Sequence, residues 1–110
     1  MANTFKLKTK NNVGVTTVGI YTAPSSTTTV VIGITLSNTS GAGVNVGVGI
    51  TRPTASGDDV ELLKNAPIPQ GATLEFMGGN KVVLETEDTV TVSSDTASSV
   101  DAALTIMEIT

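Results

Sequence analysis

The chain has no cysteine, no histidine and no tryptophan, and only three aromatic residues, Phe5, Tyr21 and Phe76. Without cysteine no disulfide framework can form. Without cysteine and histidine the usual ligand sets for zinc, haem and iron–sulfur centres are missing. Ser-His-Asp and Cys-His catalysis lack the base or the nucleophile. No stretch approaches the ~18 uninterrupted apolar residues of a membrane-spanning helix. The opening Met1-Ala2-Asn3-Thr4-Phe5-Lys6 has no apolar h-region, so a secretory signal peptide is not expected and synthesis in a bacterial cytoplasm is. Charged residues make up 15% of the chain, and the net charge of −4 argues against general nucleic-acid binding.

What is present is β-branched. Val, Ile and Thr number 14, 7 and 19 of the 110 residues, a composition that suits a pleated surface better than a helix. With so few aromatics the core must be aliphatic, and 110 residues suffice for one thin two-layer domain. Scarce charge and a positive mean hydropathy also suggest that some surface is covered by a partner.

Period-2 alternation runs through the chain. Val30, Ile32, Ile34 and Leu36 are expected on one face of a strand, with Val31, Gly33, Thr35 and Ser37 on the other. Val44, Val46, Val48 and Ile50 alternate in the same way. So do Val100, Ala102, Leu104 and Ile106, and more briefly Val90 and Val92. The strands predicted are 12–22, 28–37, 44–51, 59–64, 72–77, 81–85, 88–94 and 99–109, with a further one at 4–9. Turn residues separate them: 38–43, Ser56-Gly57-Asp58-Asp59, and Gly78-Gly79-Asn80. Pro67 and Pro69 flank Ile68, which excludes a central strand there and points to extended linker. The fold class expected is all-β: a single antiparallel β-sandwich of about eight strands, jelly-roll or immunoglobulin-like.

Charge is unevenly placed. Lys6, Lys8 and Lys10 give +3 in the first ten residues, and the remaining hundred carry −7. Phe5, Leu7 and Thr9 alternate with the lysines, so a strand would put cations on one face and apolar groups on the other. Residues 1–11 therefore read as a basic arm or edge strand, and 12–110 as the sandwich domain. As an edge strand it would use lysines against unwanted pairing; as an arm it would dock on an acidic neighbour.

Gly33, Gly47 and Gly49 leave the outer faces of two strands nearly bare. That means either a twisted, bulged sheet or a flat patch for another subunit. Phe5, Lys6, Leu7, Lys8, Lys10, Gly33, Gly47 and Gly49 are thus the candidate partner interface. The acidic groups Asp58, Asp59, Glu61 and Glu85, Glu87, Asp88 lack calcium-loop spacing and read as solvated loops. Gly57-Asp58-Asp59 is too little to be a polymerase metal motif, and a thin sandwich offers paired carboxylates little cleft for sugar. No catalytic, cofactor-binding or metal-binding residue is assigned, and no cofactor is expected.

Several stretches resemble small virion proteins of tailed bacteriophages. They are Tyr21-Thr22-Ala23-Pro24, Val31-Ile32-Gly33-Ile34 with Leu36-Ser37-Asn38-Thr39, the run 62–71, the run 78–84, Ser98-Ser99-Val100-Asp101 and Met107-Glu108-Ile109. The resemblance covers roughly residues 20–110 and implies a non-enzymatic structural protein located in the virion. The expected role is a capsid decoration (cement) protein, a homo-oligomer expected as a trimer, bridging copies of the major capsid protein with Phe5 to Lys10 as anchor. Alternatives are a neck, tail or baseplate component, or a fibre-tip host-surface or carbohydrate-binding module. Exposed aromatics, which such a module needs, are scarce. Neither nucleic acid nor membrane is an expected partner.

Overall fold

A computed structural model describes residues 3–53, 58–76 and 81–110. Among them are nine strands and no helix: β1 (Asn3–Val13), β2 (Val18–Thr22), β3 (Thr28–Asn38), β4 (Val44–Thr51), β5 (Val60–Ile68), β6 (Thr73–Phe76), β7 (Val82–Leu84), β8 (Thr89–Ser94) and β9 (Val100–Ile109). All pairings are antiparallel. One sheet has the order β1-β9-β3-β6, with β7 also on β3; the other has β2-β8-β4-β5.

That order decides between the two expected sandwich types. β6 and β7 pair with successive halves of β3, so they act as one interrupted strand. The chain is then a long hairpin of four nested pairs: β1 with β9, β2 with β8, β3 with β6/β7, β4 with β5. Rolling that hairpin up adds the contacts β9–β3 and β8–β4. This is the eight-strand jelly roll, and the immunoglobulin-like alternative is set aside.

The core lies between the sheets and is aliphatic, as composition requires. Leu36, Leu84, Leu104, Ile106, Val92 and Val100 are wholly buried. Each such side chain contributes about 1.5–3 kcal/mol of transfer free energy. The inward rows of β4, β8 and β9 are those the alternation indicates: Val44, Val46, Val48 and Ile50; Val90 and Val92; Val100, Ala102, Leu104 and Ile106.

β3 departs from the simple pattern. A register shift against β9 between Val31 and Gly33 inserts one residue and reverses the phase. Val31, Ile34 and Leu36 are therefore buried, while Val30, expected inside, is only partly buried on the outer face. A run of β-branched residues reads as a strand in either phase, so the bulge leaves no local trace.

Three other expectations are corrected or lie out of view. The strand expected at 12–22 is two strands. Val13 ends β1 buried, Val15 is exposed, and the chain crosses to the second sheet before Val18. Gly14 sits at that corner, where a Cβ would lie 3.2 Å from the Ser98 nitrogen. The segment around Pro67 is not linker. Pro67 belongs to β5, an outermost strand of its sheet, where a missing N–H does no harm, and Ile68 is buried. Ser56, Gly57, Met77 and the turn Gly78-Gly79-Asn80 lie outside the described residues.

The hairpin loop 38–43 is organised by Asn38, buried at the end of β3. Its Nδ2 donates to the carbonyls of Ala42 (2.8 Å) and Ile68 (3.0 Å), and its Oδ1 accepts from the Ser40 N–H (2.9 Å) and Oγ (2.7 Å). One amide thereby closes the β3–β4 turn and pins the end of β5.

Candidate assembly surfaces

The eight residues singled out in sequence fall on three separate surfaces. β1 is an outermost strand, with Lys6 opposite Ile106, Lys8 opposite Leu104 and Lys10 opposite Ala102. Residues directly opposite point the same way, and those three β9 residues face the core. The lysines therefore line the inward side of the sheet at its rim, and Phe5 and Leu7 face out, 69% and 63% exposed. Cations and apolar groups do separate, with the apolar row on the solvent side. Inward-pointing charges at a rim are a device against stray edge pairing.

Lys6 is held. Its Nζ donates to Glu108 Oε1 at 2.8 Å, and Glu108 Oε2 accepts from the Tyr21 hydroxyl at 2.6 Å. Tyr21 has one proton to give, so the Thr29 hydroxyl, 2.7 Å away, donates to the phenol oxygen. Four strands, β1, β2, β3 and β9, meet at this cluster. Lys6, then Tyr21, hold the Glu108 carboxyl below its usual range, and burial together with Glu108 pushes the Tyr21 phenol up to about 12.

Phe5, Leu7 and Gly33 share the outer face of the five-stranded sheet. Phe5, Met107, Val30 and Val83 stand in one cross-strand row over β1, β9, β3 and β7. The next row along the strands is Leu7, Thr105 and Gly33. A Cβ on Gly33 would meet nothing within 4 Å.

Gly47 and Gly49 lie on β4, on the outer face of the opposite sheet, away from the other six. A Cβ at Gly49 would come 2.9 Å from the Val60 carbonyl, and one at Gly47 3.4 Å from that of Leu63. Register shifts between β4 and β5 bring these backbones close, so at both glycines the neighbouring strand itself fills the space. The shallow depression there, about 180 Å³, is rimmed by Thr17, Thr91, Ser93, Asp59 and Glu61.

The acidic groups are not all solvated. Asp88 is buried, and its two carboxylate oxygens share the Arg52 Nε–H at 3.2 Å each. Its Oδ2 also accepts the Glu85 N–H at 2.9 Å, and the Arg52 Nη2 donates to Glu85 Oε1 at 2.7 Å. The carboxylates draw the Arg52 pKa upward, Asp88 foremost. Arg52 also donates its backbone N–H to Asp59 Oδ1 at 2.7 Å. This network ties the end of β4 to the β7–β8 turn. Among the described residues no group of three or more acidic side chains is placed to hold a metal ion.

Sequence reading missed Tyr21, Glu108, Arg52 and Asp88 as a structural set. One signal was available. Glu108 falls in the inward phase of β9, where Val100, Ala102, Leu104 and Ile106 precede it, and a carboxylate there demands partners.

No protein-family model matches the chain, and no curated protein matches it in sequence. A solved structure from work on Bacillus endospore appendages, described as a novel family of disulfide-linked pili, is similar in fold. It has a TM-score of 0.58 and 16% identity, over 99% of this chain and 87% of that one. At that identity the likeness concerns the fold alone. The present chain has no cysteine with which to form such a disulfide link.

Proposed function

We propose that the chain is a non-enzymatic structural subunit, a jelly-roll block that associates with copies of itself in a larger assembly. The observation that carries this reading is the outer face of the five-stranded sheet. There Phe5, Leu7 and Val83 stand 69%, 63% and 58% exposed around Met107 and Val30. Contiguous exposed apolar side chains on a small domain mark surfaces that partners cover.

The assembly favoured by the resemblance of residues 20–110 is a tailed-phage virion, with the chain as a decoration protein on the capsid. A second reading, a filament subunit, is favoured by the fold shared with the pilus protein. Both need the same properties: a closed core, and edges and faces that meet other copies. Counting copies per particle by quantitative mass spectrometry, against the major capsid protein, tests the first reading. On the order of hundreds of copies supports a shell lattice, since a closed shell repeats each site many times. A count in the low tens moves the chain to the neck or tail, and absence from purified virions overturns the virion reading. Electron microscopy of the concentrated pure protein tests the second, which requires filaments to form.

A further inference from the structure

In sequence, β1 reads as an arm for an acidic neighbour, and the structure locates the acid: Glu108 of β9 holds Lys6 of β1 at 2.8 Å. We propose that β1 is an exchangeable strand. It pairs with β9 of a second copy as it pairs with its own, Lys6 meets the partner's Glu108, and residues 14–17 draw out so that β1 and β2 run on as one strand. The inference rests on the structural-subunit reading and names a contact between its copies.

The fit of the occupant is visible within one copy. β1 covers the edge of β9 along a ladder from Asn3 opposite Ile109 to Val13 opposite Val100. A second copy brings the identical strand, so every contact given up inside one copy is regained between two. That makes exchange of an element a low-cost route to association.

Three observations favour β1 as that element. The first is how lightly it is seated. From Asn3 to Asn12 no side chain is fully buried, and Val13, beside the connection to β2, is the one that is. β1 joins the rest of the sandwich through residues 14–17 alone, and its departure opens little of the core. Glu108 is not stranded meanwhile, because the Tyr21 hydroxyl still donates to it at 2.6 Å.

The second is the connection itself. Gly14-Val15-Thr16-Thr17 turns a corner between the sheets without proline, asparagine or aspartate to set a turn. Val15, Thr16 and Thr17 are all β-branched and favour extended backbone, which is why 12–22 reads as one strand in sequence. Val15 is left 66% exposed, and no described residue hydrogen-bonds to Val15, Thr16 or Thr17. A short hinge whose local preference opposes its bend invites exchange.

The third is register. Glu108 is the acid in an otherwise apolar inward row of β9. A strand arriving one residue out of step would turn Phe5 or Leu7 toward it in place of a lysine. The edge of β9 therefore selects β1 in its own phase. Reciprocal exchange closes a pair, and passing each β1 to the next copy gives a ring or an open chain.

The test uses a lock. Leu7 and Thr105 stand directly opposite on β1 and β9, and both are exposed. The chain has no cysteine of its own, so Leu7→Cys with Thr105→Cys, oxidised at high dilution, ties β1 to its own β9. After incubation at high concentration, sedimentation velocity should show dimers or larger species for the wild type and the reduced variant, and monomer for the locked one. Reduction should restore association, which a damaged fold cannot imitate. Oxidising the reduced variant after association should instead link position 7 of one chain to position 105 of another, read by peptide mapping of a mixture of isotope-labelled and unlabelled chains. Lengthening the hinge with glycines after Thr16 should shift the chain toward monomer by at least ~tenfold. Association undiminished in the locked variant overturns strand exchange and leaves the subunit reading standing. A wild-type chain that stays monomeric at every concentration overturns both.

Discussion

The Tyr21 hydroxyl donates to Glu108 Oε2 at 2.6 Å across 87 positions of sequence, and Lys6 occupies the other carboxylate oxygen. This contact ties the edge strand to the sandwich. Apart from Lys8, which is half-buried, every side chain of β1 from Asn3 to Asn12 is exposed. β1 is therefore held by its backbone ladder to β9, by the Lys6–Glu108 pair, and by the Asn12 N–H on Asp101 Oδ1 at 3.1 Å.

Tyr21 is the sole tyrosine, so ultraviolet titration reads it without interference. The expected native transition is near 12, against 10.0 for an ordinary phenol. Because the folded value is raised, the stability contributed by Tyr21 is whole below pH 10 and is lost as pH climbs toward 12. In Glu108→Gln the phenol should titrate lower, since burial remains but the carboxylate is gone. A native transition at 10 would contradict the buried, hydrogen-bonded phenol. Tyr21→Phe removes the bond and keeps the packing, at a cost of about 1 kcal/mol, read as a lower melting temperature.

Acid should act through Glu108. Its folded pKa is depressed, by Lys6 first and Tyr21 next. It therefore contributes stability above the ordinary carboxylate range, and this is lost as pH falls through the folded value. The protection factors of the β1 amides against hydrogen exchange should fall on acidification before those of β3 or β4, because β1 has least else to hold it. Uniform exchange across the sheet would show that the cluster does not latch β1. Glu108→Gln should flatten this pH dependence.

Two strand glycines should respond oppositely to alanine. At Gly49 a methyl group would sit 2.9 Å from the Val60 carbonyl, and the neighbouring backbone would have to move. Gly49→Ala should cost about 1–3 kcal/mol, as overpacking does. At Gly33 a methyl meets nothing within 4 Å, so Gly33→Ala should stabilise by about 0.5 kcal/mol through reduced freedom of the unfolded chain. Denaturant midpoints of the two variants decide it. A neutral Gly49→Ala would mean the β4–β5 contact is loose.

Much of the architecture was legible because its information is local. Alternation at Val44–Ile50 and Val100–Ile106 records which side faces the core, and every residue named in those rows is buried. The bulge after Val31 was not legible. Its cause is the register against β9, some seventy residues away, and Val30 and Val31 differ in nothing but position. Proline at 67 was legible as exclusion from a central strand, but not as membership of an outer one, because pairing order is a property of the whole sheet. For the candidate interface, alternation separated Phe5 and Leu7 from the lysines but could not say which row faced solvent. Gly47 and Gly49 joined the set because sequence does not record which sheet a strand enters. The ion pairs of Asp88 and Glu108 span 36 positions to Arg52 and about a hundred to Lys6, beyond any motif.

Arg52 and Asp88 make the sharpest test of whether the sandwich depends on its polar links. Asp88 is buried, and it keeps the Glu85 N–H as a donor even without Arg52. Arg52→Leu removes the charge that compensates the carboxylate while keeping apolar bulk. Stripping one partner from a buried pair costs about 3–5 kcal/mol when the group is left wholly uncompensated. The surviving amide bond and the 27% exposure of the Arg52 side chain make the loss smaller than that here, read as a lower denaturant midpoint. Asp88→Asn on the wild-type background keeps an acceptor for Glu85 and should cost less. The double variant Arg52→Leu with Asp88→Asn should recover part of the single arginine loss, because the unpaired buried charge is then gone. Denaturant unfolding of the three variants closes the cycle. Strictly additive losses would mean that Arg52 and Asp88 are not energetically coupled, despite their 3.2 Å separation.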